Sequence, residues 1–337
     1  MTRLHKSLIS LLFAAFLALP LLLGFPARGS AGPAAAPEVS AQGIALLDGA
    51  TGQMVYGKNP HERFAMASLT KTMTAVVALE HGDIDRKVVV DVTWDEIPDS
   101  SIMGLSLMEE LTIRDLLYGM MLPSGNDAAR AIARAIAGDE YRFAQLMNEK
   151  ARELGMTDTH YVNPHGMDAE EHYSSAYDQA KLGMYAMQNP LFRKIVSTTS
   201  ITVRGIGVYP LRNINRVLLN YDGCDGIKTG YTDNARSAVI ATAERDGRRV
   251  YVGVLRSWDY TSDAIAMMDY YFQNGLGEFP ESASTPAPTA AASPTATPLH
   301  DCRGTVEDDR RPGINAPGSA NEARQGGLGT GLDWQTT

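Results

Sequence analysis

Ser68 stands three residues before Lys71 in the stretch Phe64-Ala65-Met66-Ala67-Ser68-Leu69-Thr70-Lys71-Thr72-Met73-Thr74. On a helix running from Ser68 to about Leu79, that spacing stacks both side chains on one face, within reach of a proton transfer from hydroxyl to amine. A serine hydroxyl is too weak an acid to ionise at neutral pH. A lysine that is desolvated or crowded by another cation can stay neutral and serve as its base. With Ser68 opening the helix, its backbone N–H has no intrahelical partner and is free to bind the oxyanion formed when serine attacks a carbonyl. The pair alone is weak ground, because a Ser-x-x-Lys arises by chance about once in a chain of this length.

Two further stretches carry matching chemistry. Pro123-Ser124-Gly125-Asn126-Asp127 lies between two helical patterns, where Pro123 closes the first and Asn126 or Asp127 can cap the second. Ser124 and Asn126 are then left in a tight turn facing a cleft. Capping alone accounts for such residues, and Ser319-Ala320-Asn321 repeats the pattern in a polar tail with no use for it. In Asp225-Gly226-Ile227-Lys228-Thr229-Gly230-Tyr231, one charge and one hydroxyl are offered to a carboxylate, between glycines that let the backbone approach a ligand. The plain alternative is a turn with a solvated lysine. Order distinguishes these readings. Of the eight lysines only Lys71 follows a serine by three, and Ser-x-x-Lys, Ser-x-Asn and Lys-Thr-Gly succeed one another as in penicillin-interacting serine enzymes.

From about Ala41 to Phe272 the chain resembles the low-molecular-mass penicillin-binding proteins that are serine-type D-alanyl-D-alanine carboxypeptidases. The likeness is carried by Phe64 to Thr74, Met121 to Ala129, Asn163-Pro164-His165-Gly166-Met167-Asp168, and Asp225 to Thr232. The resemblance implies a β-lactamase/transpeptidase-like fold with Ser68 as nucleophile and Lys71 as its base. It implies that Ser124 and Asn126 complete the proton network, and that Lys228 and Thr229, beside Gly230, hold the substrate carboxylate. The backbone N–H groups of Ser68 and Tyr231 would form the oxyanion hole. A family arginine near the last hairpin has two candidates here, Arg256 and Arg216. The implied partners are peptidoglycan stem peptides ending in D-Ala-D-Ala, with β-lactams as inhibitors.

Three rivals share part of this pattern. A D,D-endopeptidase cutting cross-links would keep fold and nucleophile. A class A β-lactamase needs a glutamate to activate the deacylating water, for which Glu170 and Glu171 are the nearest candidates, but Gly125 stands where those enzymes have aspartate. A non-catalytic wall-binding protein would have lost one of Ser68, Lys71, Ser124, Asn126, Lys228 or Thr229, and all six are present.

The surrounding pattern says what must position these residues. Gly43 to Leu47 and Gln53 to Tyr56 read as a hairpin, and Lys87 to Val92 as a strand. Ile113, Leu116, Leu117, Met120 and Met121 recur at helical spacing. Ala128 to Ala137 is alanine-rich, and Phe143, Leu146, Met147 and Leu154 mark a third helix ended by Gly155. Strands return at Ile201 to Val203, Ala235 to Ala243 and Arg249 to Leu255, with a turn at Asp246-Gly247, and a helix from about Thr261 to Phe272 closes the domain. The expected fold is α+β: an antiparallel sheet flanked by helices, assembled from both ends of the chain around an inserted helical region.

Arg3, His5 and Lys6 before an apolar run from Leu8 to Phe25, and small residues up to Ala31, read as an export signal over residues 1–31. The protein is then extracytoplasmic, with membrane contact only if that segment stays attached. A flexible lead-in spans 32–41, the peptidase domain 42–277, a Pro/Ala/Thr linker 278–298 and a disordered polar tail 299–337. The family's usual second β-rich domain and amphipathic membrane helix are replaced by that linker and tail. With 30 basic against 39 acidic residues the net charge is −9, which argues against nucleic acid and anionic lipid as partners. Seven histidines and two distant cysteines, Cys224 and Cys302, show neither metal-ligand spacing nor a disulfide framework, so no metal and no cofactor are expected.

Overall fold

The structure, a computed structural model, describes residues 35–92 and 100–274. In chain order these form β1 (Gly43–Asp48), β2 (Met54–Lys58), a 3₁₀ turn (Ala67–Leu69) running into α1 (Thr70–His81), β3 (Lys87–Val89) and β4 (Glu110–Thr112). Then come α2 (Ile113–Met121), α3 (Asn126–Ala137), α4 (Glu140–Glu153), α5 (Ala176–Ala186) and α6 (Pro190–Ser197). The chain returns through β5 (Ser200–Arg204), β6 (Val208–Arg212) and α7 (Arg216–Asn220) to β7 (Cys224–Thr232), β8 (Arg236–Arg245), β9 (Arg248–Ser257) and α8 (Tyr260–Gln273).

Five strands make one sheet in the order β2-β1-β9-β8-β7, with all neighbours antiparallel. The two ends of the chain meet where β1 pairs with β9, from Gly43 opposite Leu255 to Asp48 opposite Val250. Every residue of β1 is buried, which requires cover on both faces, because successive side chains point to opposite sides of a strand. Ile44 and Leu46 join Val239, Val252 and Val254 under Met267 and Met268 of α8, while Ala45 and Leu47 face the inserted region with Ile240, Ala180 of α5 and Met73 of α1. Each aliphatic side chain so buried contributes roughly 1.5–3 kcal/mol relative to exposure.

Among the described residues the insertion's helices are joined by irregular segments and by two short antiparallel strand pairs, β3–β4 and β5–β6. Several elements carry too weak a signal to read. In α5, Asp178 and Gln179 are buried along with Ala180 and Leu182, so no apolar stripe stands out. The start of α6 is better marked, since Asn189 accepts from the N–H groups of Leu191 and Phe192 and Pro190 is its first residue. Pro210 disguises β6, which is a strand because it sits in a two-stranded hairpin opposite Thr202. The strand expected to reach Val92 ends at Val89, though Val90 still exchanges backbone hydrogen bonds with Met108 and Glu109. At the end of the lead-in, Ser40 and Ala41 are tied down, both donating their N–H groups to Asp263 of α8 at 2.9 Å. The expected export signal, linker and tail lie outside the described residues.

Candidate active site

Ser68 sits in the 3₁₀ turn, two residues before α1 begins at Thr70. The helix therefore starts two residues later than the spacing suggested, but the tighter turn keeps Ser68 above Lys71. Their Oγ and Nζ atoms are 2.9 Å apart. Two neighbours press on this turn. Gly230 of β7 is so close that a Cβ on it would stand 3.0 Å from Ser68 N and from Ala67 Cβ. At Gly166, whose φ is +94°, a Cβ would lie 2.0 Å from Ala67 O. Only glycine lets these two backbones approach.

Lys71 is fully buried. Besides facing Ser68, it donates to Asn126 Oδ1 at 2.5 Å and to the backbone carbonyl of His165 at 2.5 Å. Burial holds its ammonium pKa well below the usual lysine range, the Lys228 charge adds to that, and Asp127 opposes it. Both acceptors are carbonyl oxygens, which cannot donate. The two N–H bonds of a neutral amine satisfy them, and its lone pair is left for the Ser68 hydroxyl.

Lys228, in the middle of β7, donates to Ser124 Oγ at 3.0 Å and to Thr229 O at 2.8 Å. Burial pushes its pKa down to about 7. The segment expected as a turn or strand edge is thus a full nine-residue strand at the border of the sheet, and its lysine is buried rather than solvated. Ser124 holds a left-handed backbone, φ +69°, and Asn126 is the first residue of α3. Neither Asn126 nor Asp127 caps that helix. The N-cap position is Gly125, Asn126 turns to Lys71, and Asp127 accepts from Met103, Gly104 and Leu105.

Ser68, Ser124, Asn126, Thr229, Gly230 and Tyr231 line one cleft of about 760 Å³, and the buried Lys71 and Lys228 reach it through their bonds to Ser68, Asn126 and Ser124. Arg216 also lines it, at the start of α7. Arg256 is placed otherwise, donating to Asn234 O at 3.3 Å and contributing nothing to the lining. Glu170 and Glu171 are exposed and outside the lining. Among the described residues no group of three or more His, Cys, Asp or Glu side chains is arranged to hold a metal, and no helix is long and apolar enough to cross a membrane.

Sequence reasoning gave Asp127 no role beyond a helix cap, and none to His165 or His172. Thr70 Oγ1 donates to Ala67 O at 2.8 Å, so the 2.8 Å contact from His172 Nε2 must be a donation to Thr70. His172 Nδ1 accepts from Val162 N at 3.0 Å, which fixes a neutral ring in one tautomer beneath the turn that carries Ser68. Burial, then the neighbouring His160 and Lys71 charges, push its pKa down to about 4. His165 acts on Lys71 through its carbonyl, which no side-chain pattern could reveal. Only its place in the stretch Asn163 to Asp168 marked it.

The sequence signature of a family described as D-alanyl-D-alanine carboxypeptidase matches residues 31–258. D-alanyl-D-alanine carboxypeptidase DacF of Bacillus subtilis is 34% identical over 241 residues, 69% of this chain and 62% of the relative. DacB2 of Mycobacterium tuberculosis is 34% identical over 228 residues, 67% of this chain and 78% of the relative. The chain spans about three fifths of the length of several such relatives, 60% for DacD of Escherichia coli. Among solved structures, the Streptomyces K15 DD-transpeptidase superposes with a TM-score of 0.68 at 31% identity, covering 72% of this chain and all of that one.

Proposed function

The chain belongs to the D-alanyl-D-alanine carboxypeptidase family, and from that premise we propose that it removes the terminal D-alanine from peptidoglycan stem peptides through an acyl-enzyme on Ser68. The observation that carries this reading is the environment of Lys71, a buried amine with two carbonyl acceptors and its remaining position turned to Ser68 Oγ at 2.9 Å.

The terminal carboxylate of the peptide meets Thr229 and Arg216 in the cleft, with Lys228 behind them. Anchoring that end sets the penultimate carbonyl against Ser68. Ser68 Oγ attacks the carbonyl carbon while its proton passes to Lys71, and the oxygen takes up negative charge facing the backbone N–H groups of Ser68 and Tyr231. Collapse of the tetrahedral species breaks the C–N bond. The leaving amine takes a proton from Ser124, whose hydroxyl is joined to Lys228, the Lys71 ammonium replaces that proton and is neutral again, and free D-alanine departs. Water then hydrolyses the ester to restore Ser68. In penicillin the leaving amine stays tethered to the acyl group, so the ester persists. The absence of Glu170 and Glu171 from the cleft lining supports a peptidase over a class A lactamase.

One observation favours a second reading of the last step. The Streptomyces K15 neighbour is named a DD-transpeptidase, which would pass the acyl group to an amine in place of water. Because its substrate lies in the cell wall, the enzyme acts outside the cytoplasm. Intact-mass analysis and peptide mapping after labelled penicillin test the core claim: one adduct on Ser68, absent in Ser68→Ala. An adduct on Ser124, or one that persists in Ser68→Ala, overturns it. Incubating a D-Ala-D-Ala peptide with and without an added glycyl acceptor separates hydrolysis from transfer.

A further inference from the structure

We propose that Asp127 is a positioning residue whose buried carboxylate clamps segment 101–105 onto the α2–α3 turn, and that this brace holds Ser124 and Asn126 against the two lysines. The inference rests on the peptidase reading above. Asp127 Oδ1 accepts from Met103 N at 2.8 Å and Ala128 N at 2.9 Å, and Oδ2 accepts from Gly104 N at 2.8 Å and Leu105 N at 3.1 Å. All four donors are backbone N–H groups, so both carboxylate oxygens are satisfied without a salt bridge. The segment is locked at two more points. Asn126 N donates to Ser101 O at 2.8 Å. Met103 fills the space left by Gly119 of α2, where a Cβ would stand 2.0 Å from Met103 Sδ and 2.9 Å from its Cγ.

The turn so held is the one that bends sharply. Ser124 is kept at φ +69°, a conformation that a side-chain-bearing residue holds only when its surroundings impose it. Gly125 N donates to Gly119 O at 3.0 Å inside the turn, and the 101–105 segment closes it from outside. The brace also reaches the substrate directly, since Ser100 and Ser101 line the cleft. Release of the segment would therefore free Ser124 from Lys228 and Asn126 from Lys71, while the core beneath stays packed.

Asp127 has a second, electrostatic consequence at Lys71. The charged or titratable groups around that amine are Lys228 from β7, Asp127 from α3, and His165 and His172 from the segment between α4 and α5, with Glu140 of α4 and Arg130 of α3 behind His165. Asp127 adjoins Asn126, whose Oδ1 lies 2.5 Å from Lys71 Nζ, and its charge favours the ammonium form. Removing its charge lets Lys71 lose its proton at lower pH.

The test compares penicillin acylation rates per folded molecule in the unmodified protein, Asp127→Asn, Gly119→Ala, and Phe143→Leu as a core control outside the cleft lining. Asp127→Asn keeps an acceptor for Met103 but presents N–H to Gly104 and Leu105. Gly119→Ala expels the Met103 plug without touching any charge. Both should acylate at least tenfold more slowly than the control when all are measured at the same margin below their melting temperatures. Only Asp127→Asn should also move the acid limb of the rate profile to lower pH, and Asp127→Glu should not move it. For a D-Ala-D-Ala peptide, kcat should fall more than KM rises. Rates within twofold of Phe143→Leu in both variants overturn the brace. An unmoved limb in Asp127→Asn overturns the electrostatic part. If the unmodified protein takes up no penicillin, the peptidase reading has failed, and with it the reaction that the brace would serve.

Discussion

The layer under α8 and the cleft at the edge of the same sheet are built on opposite principles. Beneath α8, Ile44, Leu46, Val239, Val252, Met267 and Met268 make an apolar layer. Beyond the edge strand β7, at the mouth of the insertion, the buried side chains include Lys71, Ser124, Asn126, Asp127 and Lys228. Burying such groups costs several kcal/mol each unless hydrogen bonds compensate. Apolar packing under α8 and within the inserted helices supplies the stability that the polar cleft draws on. This predicts that damage to one face changes rates, and damage to the other changes stability.

The largest effect should follow Lys71→Arg. Arginine keeps a cation but cannot become a base at any accessible pH, so penicillin acylation should fall about 10²- to 10⁴-fold. Circular dichroism should still report a folded protein. Lys228→Arg, which spares the base, should weaken the response to substrate carboxylate and retain measurable turnover. Acylation of Lys71→Arg at close to the unmodified rate would move the role of base elsewhere in the network.

On the opposite face, Met268→Ala should open a cavity under α8 and cost about 2–5 kcal/mol in urea unfolding. The acylation rate of the folded fraction should stay within twofold. A tenfold loss of rate would show that the faces are coupled through β8 and β9, and the division between them would not stand.

The apolar face was the easier one to read. Nearly continuous apolar runs in β1, β8 and β9 and the helical spacing in α8 report burial directly, and short turns such as Asp246-Gly247 fix the pairing. The cleft was legible by a different route. Ser68, Lys71, Ser124, Asn126, Lys228 and Thr229 stood out through the order of three short motifs, and the structure brings all six together. What stayed hidden acts through the backbone or across long separations. The His165 carbonyl has no side-chain signature. Asp127 looked like a helix cap because capping and clamping demand the same residue type. The choice between Arg216 and Arg256 depended on how α7 and the end of β9 turn, which spacing does not encode.

The smallest effect is also the sharpest test of how the cleft face is charged. Lys228 has a pKa near 7 in the folded protein and about 10.4 in an unfolded chain. Below pH 7 both states carry the proton, and no slope arises. Between about pH 7 and 10.4 the unfolded chain binds more protons than the native one, so stability rises with pH by at most about 1.4 kcal/mol per unit for this group. Lys71 shifts in the same direction and adds to the rise. Tyr271, pushed up to about 12, works against it only once free tyrosines begin to ionise. The useful window is therefore pH 7 to 9. In Lys228→Met the residue no longer titrates, so the stability difference from the unmodified protein should change across that window in favour of the unmodified chain, by about 1 kcal/mol per unit after relaxation is allowed for. Urea unfolding at pH 7, 8 and 9 measures it. A difference that stays flat would mean that Lys228 remains an ammonium throughout, a fixed clamp for carboxylate that takes no part in moving protons through Ser124.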